Sequence, residues 1–191
     1  DKIPIYSIDI SLMLDDEMGY IKISRSARTT YKEFIDAVSK LQKQGMTKLI
    51  VDLRGNNGGY LDAATNIANE FLPEGKLIVY TQGKARPRHN IYSDSKGQCT
   101  NTQVAILIDE FAASASEILA GAIQDNDRGL VIGRRSFGKG LVQEQILFSD
   151  GSALRLTIAR YYTPTGRSIQ KPYAPGDDLS LIHISEPTRP Y

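Results

Sequence analysis

The sequence predicts one α/β domain with a mixed sheet and flanking helices. Three observations carry this prediction. The near-continuous apolar runs KLIVDLR (48–54) and VAILID (104–109) read as strands buried on both faces. Each is followed within a few residues by a helical pattern, the alternation expected of parallel strands. Hairpin signals at both ends of the chain add antiparallel pairs, which makes the sheet mixed.

IPIYSIDISLML (3–14) and MGYIKIS (18–24) read as strands joined by a turn at Asp15-Asp16-Glu17. Thr30 and Glu33 have capping-box spacing, and Phe34, Val38 and Leu41 then fall on one helical face before Gly45. Strand 48–54 leads through GNNGG (55–59) into a helix with Leu61, Ala64, Ile67, Ala68 and Phe71 on one side, ended by Pro73. KLIVYTQG (76–83) reads as a strand, and residues 84–102 as a polar surface loop containing His89. Strand 104–109 leads into helix 114–126, which is small and apolar on nearly every side and hence buried. GLVIGRR (129–135) is a strand, SFGKG (136–140) a glycine-flanked turn, and 141–148 and 152–163 a hairpin about Asp150-Gly151.

Composition narrows the function. Of 191 residues, 41% are hydrophobic and 24% charged, enough for one domain with a real core. A net charge of +1 gives no electrostatic case for nucleic acid or an anionic membrane. No apolar run reaches the length of a membrane span. Cys99 is the only cysteine, which excludes an internal disulfide. No cofactor is called for, and no residue is assigned to a metal. The chain reads as starting mid-protein. SLIHISEPTRPY (180–191), which includes His183, resembles a translated sequencing adapter and is set aside, with 173–191 expected to be disordered.

If strands 48–54 and 104–109 are parallel, GNNGG and Ser114 leave the same carboxyl edge, where sites on open α/β sheets form. A 13-residue helix after Ser114 runs about 20 Å away. The strand that follows returns by roughly 23 Å. SFGKG therefore arrives beside the helix start, and Lys139 near Ser114. A serine hydroxyl needs a partner to take its proton. A lysine can serve when neutral, a state that an apolar surround favours; Phe137, Leu141 and Val142 are the expected surround. Gln143 is a candidate to orient the amine. The Ala115 N–H at the helix start can serve an oxyanion, with a second donor from Gly58 or Gly59.

Each feature also has a plainer reading. Ser114 with Glu117 is a capping box, and most serines at helix starts are caps. Ser116 packs or bonds locally, Lys139 is a turn lysine, GNNGG is a flexible loop or anion nest, Asp125 ends its helix, and Tyr161 and Tyr162 pack on the sheet. Singly, each plain reading is the commoner case. The functional case rests on their coincidence.

As a set, DLRGNNGG (52–59), SASEILAGAIQD (114–125), GRRSFGKGLVQ (133–143) and SDGSALRLTIARYYTPTGRSIQ (149–170) resemble the carboxyl-terminal processing peptidases, or tail-specific proteases, colinearly from about residue 48 to 172. The opening residues resemble the stretch after the PDZ domain of such proteins, and that domain is not in this chain. The resemblance implies a Clp protease–crotonase-like spiral, a lead-in over 1–47 and a catalytic core over 48–172. It implies Ser114 as nucleophile, Lys139 as general base, Gln143 as third member, and the N–H groups of Gly59 and Ala115 as oxyanion hole. It further implies protein substrates with apolar C-termini, a periplasmic or cell-envelope location, and homo-oligomers formed through absent regions. Two alternatives share the fold: a non-catalytic binding module like the retinoid-binding proteins, and a crotonase-type acyl-CoA enzyme. The intact Ser114, Lys139 and Gln143 set favours the peptidase over both.

Overall fold

A computed structural model describes residues 6–172. The expectations for 173–191, His183 included, and for residues 1–5 lie outside the described residues.

β1 (Ile8–Met13) and β2 (Met18–Ile23) form the expected hairpin, and the Asp15 carboxylate shapes its turn by accepting the N–H groups of Glu17 and Met18 at 2.8 and 2.7 Å. α1 (Thr30–Gln42) buries Phe34, Val38 and Leu41, the stripe read from the sequence. Its capping box does not form, because both polar groups are used elsewhere. Thr30 Oγ1 accepts the Ala27 N–H at 2.7 Å. Glu33 Oε2 accepts the N–H groups of Ser7 and Ile8 at 2.7 and 3.1 Å. Those amides at the entry to β1 would otherwise be unpaired, and backbone donors removed from water have to be paired.

The chain continues through β3 (Lys48–Asp52), α2 (Leu61–Phe71), β4 (Leu77–Gln82), β5 (His89–Tyr92), β6 (Gln103–Ile108), α3 (Ala115–Asp125), β7 (Leu130–Gly133), β8 (Leu141–Leu147) and β9 (Ala153–Tyr162). Two sheets form rather than one. The first has the order β1-β2-β3-β6-β7, with β2, β3, β6 and β7 parallel to their neighbours and β1 antiparallel at the edge. The second is antiparallel, in the order β5-β4-β9-β8. β4 leaves the βα alternation to pair with β9. There Tyr80 stacks on Tyr162 with centroids 4.9 Å apart, and the Arg88 guanidinium lies 3.7 Å from the Tyr80 centroid.

The polar segment 84–102 is not only a surface loop. It holds β5, with His89 exposed in it and opposite Thr81, and it buries Cys99, Ser93 and Thr102. Polar sequence can be buried here because its backbone is satisfied. Arg128 donates to the carbonyls of Phe71, Cys99 and Thr102, and Glu70 accepts the Gln98 N–H at 2.7 Å. Beneath the parallel strands the core is built from Phe34, Phe71, Leu41, Leu49, Ile106 and Ile123, all fully buried.

For function, one register matters most. β3 and β6 are parallel neighbours with Asp52 opposite Leu107. The loops after both strands therefore open on the same edge of the sheet.

Candidate active site

The site begins with a carboxylate at the end of β3. Asp52 is fully buried, accepts the Tyr20 hydroxyl at 2.6 Å, and holds Arg54 through its backbone N–H and two guanidinium bonds at 2.9, 3.0 and 2.7 Å. Burial pushes the Asp52 pKa up, but the Arg54 and Tyr20 bonds outweigh it and hold the group at about 2. This fixes the strand end from which GNNGG departs. Asp109 then ties the two loops together: its Oδ1 accepts the N–H groups of Gly55, Phe111 and Ala112, each at 3.0 Å.

Within GNNGG, Asn56 is fully buried and Gly58 abuts the serine turn. A Cβ on Gly58 would lie 2.7 Å from Ser114 Cβ and 2.6 Å from Ala113 O. The Gly58 N–H is already committed, donating to Asn56 Oδ1 at 2.9 Å. Gly59 differs. It forms a parallel bridge with Ser26 in which only its neighbours bond: Gly58 O accepts the Ser26 N–H at 3.2 Å, and the Tyr60 N–H donates to Ser26 O at 2.7 Å. The Gly59 N–H therefore points away from Ser26. Among the described residues, the Gly58 N–H has an acceptor in Asn56 and the Gly59 N–H has none. Ala115 opens α3, so its N–H is among those a helix start leaves without an intrahelical partner.

Ser114 sits at the N-cap of α3 with φ 55° and ψ −111°. A serine at positive φ stores backbone strain of about 1–3 kcal/mol, which the surroundings have to hold. They do so on both sides. The Ala113 N–H donates to Asn56 O at 3.0 Å, and the Ser114 N–H donates to Glu117 Oε2 at 2.8 Å. The second bond is one arm of the expected capping box, so the cap and the exposed turn are the same structure. Ser116 packs inside, with its N–H donating locally to Ala113 O at 3.1 Å, while its hydroxyl donates to Asn56 O at 3.0 Å, across 60 positions of sequence.

Glu117 is the organising group. It is 7% exposed and its carboxylate accepts four donors. Oε2 takes the N–H groups of Ser114 and Lys139, both at 2.8 Å; Oε1 takes the Gly138 N–H and the Ser136 hydroxyl, both at 2.7 Å. Burial pushes its pKa up, and these four bonds offset that only in part, so it stays above the ordinary carboxylate value. Because one oxygen receives both amides, the backbone nitrogens of Ser114 and Lys139 are no further apart than twice a hydrogen bond. The return of SFGKG to the helix start, expected from the lengths of α3 and β7, is thus met.

The Lys139 side chain is exposed, and no hydrogen bond joins its amine to the Ser114 hydroxyl among the described residues. Among the described residues, Phe137, Leu141 and Val142 are each partly buried but leave Lys139 exposed, on the side of β8, the outer strand of its sheet. Gln143 is also exposed, at a bulge in β8, and its Nε2 donates to Thr157 Oγ1 at 3.4 Å. The structure thus brings Ser114, Ala115, Gly59 and the Lys139 backbone together, and leaves the Gln143 amide on β9. Asp125 does more than end its helix: it accepts the Thr165 N–H and hydroxyl at 3.0 and 2.6 Å and pairs with Arg167. Asn56 and Asp109 were not singled out from the sequence. Their signal was a polar residue where a buried apolar run gives way to a loop: Asp109 closes one run and Asn56 lies two residues past the other.

The chain is similar to known proteins over most of its length. The profile of Peptidase family S41 matches residues 17–177. The chain is 38% identical over 189 residues to a carboxyl-terminal-processing protease of Synechocystis, covering 95% of the chain and 44% of that protein. It is 36% identical to the carboxy-terminal processing protease CtpA of Bacillus subtilis, covering 90% of the chain and 36% of the relative. Among solved structures, the photosystem II D1 C-terminal processing protease superposes with a TM-score of 0.79 at 32% identity, over 89% of this chain and 47% of that one. The chain therefore spans less than half the length of these relatives. With the family profile covering most of its length, and with relatives this similar over nearly all of it, the chain belongs to peptidase family S41.

Proposed function

We propose that this chain carries the catalytic centre of a serine endopeptidase that cleaves proteins near their C-termini, with Ser114 as nucleophile and Lys139 as general base. The observation that carries the reading is the sharing of Glu117 Oε2 by the Ser114 and Lys139 amides. Ser114 Oγ attacks the scissile carbonyl while its proton passes to the neutral Lys139 amine. The carbonyl oxygen takes up negative charge against the N–H groups of Gly59 and Ala115. Collapse expels the amine, which receives the proton from Lys139, and leaves an ester on Ser114. Water then attacks the ester as Lys139 takes its proton, and Lys139 returns that proton to Ser114 Oγ as the acid leaves. Gln143 orients the lysine in this scheme without adding charge.

The exposure of Lys139 sets a condition on this chemistry. A neutral amine needs a dry surround, so the cover must come from the bound substrate chain or from residues outside 6–172. Phe111, within the loop between β6 and α3, and Tyr60, directly after loop 55–59, are 62% and 48% exposed and offer apolar contact to such a substrate. The names of the relatives support cleavage at C-termini, and apolar tails are the proposed class. The same reading takes the fold as a Clp protease–crotonase-like spiral, 48–172 as the catalytic core with 1–47 packed as a lead-in, and the periplasm or cell envelope as the location. Homo-oligomers would form through other parts of the protein. Among the described residues no helix is long and apolar enough to cross a membrane.

The test is labelling of the full-length protein by a fluorophosphonate probe, together with cleavage of an unfolded protein substrate. Ser114→Ala should abolish both, and Lys139→Ala should lower turnover by at least about 10³-fold. Wild-type protein that neither labels nor cleaves, while binding an apolar ligand, would instead make it a binding module.

A further inference from the structure

Loop 55–59 has little rigidity of its own. Gly55, Gly58 and Gly59 all have positive φ, at 77°, 93° and 148°. Glycine reaches such angles without strain but is not held there by its own backbone. Asn57 is exposed. Asn56 is the exception, with no solvent exposure at all.

Its bonds reach three separate parts of the fold. Nδ2 donates to Ile23 O at the end of β2, at 3.0 Å. Oδ1 accepts the Gly58 N–H at 2.9 Å. Its carbonyl accepts the Ala113 N–H and the Ser116 hydroxyl, both at 3.0 Å, on the two sides of Ser114. One residue thus spans the strand under the loop, the loop itself and the serine turn. By taking up the Gly58 N–H, it also leaves Gly59 as the donor that faces the substrate.

We propose that Asn56 is a positioning residue for the reaction: its buried amide aims the Gly59 N–H and locks that donor to the Ser114 turn. The inference rests on the reading of Ser114 as nucleophile. Asn56 never touches substrate; it acts through Gly59. A group that aims an oxyanion donor acts on the transition state far more than on substrate binding, so its loss lowers kcat and leaves KM nearly unchanged. A residue that only filled the core would lower stability and spare kcat in the folded protein.

The experiment compares wild type, Asn56→Ala, Asn56→Asp, Ser116→Ala and Ser114→Ala in the full-length protein. It reads kcat and KM on a quenched peptide, melting temperature, and amide hydrogen exchange at Gly58. Asn56→Ala should lower kcat by about 10²-fold, the effect of losing one oxyanion donor, with KM within about threefold and faster exchange at Gly58. Asn56→Asp keeps the acceptor for Gly58 but loses the donor to Ile23 O, and should fall between the two. Ser116→Ala removes one bond to the Asn56 carbonyl and should lower kcat by about fivefold. It carries the test if the Asn56 variants fail to fold. Unchanged kcat in a folded Asn56 variant, or in Ser116→Ala, overturns the proposal. Ser114→Ala that turns over as fast as wild type overturns the peptidase reading instead, whatever Gly58 exchange shows of Asn56.

Discussion

Ser114 and Lys139 hang from one atom: the backbone N–H of each donates to Glu117 Oε2 at 2.8 Å. The turn that ends β7 and the turn that starts α3 are thereby set against each other by a buried carboxylate. Residues with no sequence proximity acquire a fixed backbone separation.

This makes Glu117 testable by itself. In Glu117→Gln an NH₂ group replaces one oxygen and faces two donors. Each buried donor left unpaired costs about 1–3 kcal/mol. The expected result is a melting temperature lower by about 5–15 °C and turnover reduced by more than tenfold at a temperature where the variant is folded. Thermal melts and initial rates on the same preparations check it. A variant with wild-type melting would mean that the four bonds are dispensable.

Gly58 and Gly59 should fail differently when given a Cβ. Gly58→Ala adds an atom 2.6 Å from Ala113 O and 2.7 Å from Ser114 Cβ, at φ 93°. Either the loop or the serine turn has to move, so probe labelling at Ser114 should be lost. Gly59→Ala meets Ser26 O at 2.1 Å, at φ 148°. It should break the Ser26 bridge first, which backbone amide exchange at Tyr60 would register.

Acid should loosen the strand end beneath the loop. Asp52 titrates at about 2 when folded, below its ordinary 3.8, so its charged form is favoured by folding. Its contribution is present above about pH 4 and is lost as pH falls through the folded value, an effect of about 2 kcal/mol. Tyr20→Phe and Arg54→Ala each remove one of its partners. Urea unfolding between pH 5 and pH 2 should show a shallower acid limb in both than in wild type.

Cys99 should be inert in the native protein. It is fully buried, and burial, with the nearby Glu70 charge, pushes its thiol up to about 11. A thiol reagent at pH 8 should react fully in denaturant and at least about 10²-fold more slowly without it. Fast native reaction would show that segment 93–102 opens locally.

Much of the site was legible in the chain because strand and helix lengths are nearly fixed per residue. The apolar runs 48–54 and 104–109 became two parallel strands, and the lengths of α3 and β7 brought the Lys139 backbone back to Ser114. The plain and the functional readings of Ser114 with Glu117 proved compatible, since one carboxylate both caps the helix and holds the lysine turn. Glu33 misled because local spacing suggested a cap while an unpaired strand start claimed the group. The segment 84–102 misled because polar residues read as exposed unless their partners, here Arg128 and Glu70, are known.

By itself, the sequence determined the order of elements apart from β5, and, given parallel central strands, the edge on which the two loops meet. All of these follow from periodicity and from distances along the chain. Only the tertiary structure decided that β4 joins a second sheet, that the Gly58 N–H is taken up by Asn56, and that Lys139 stands exposed. Those outcomes depend on which distant group reaches a given N–H or covers a given side chain first, and no local pattern records that competition.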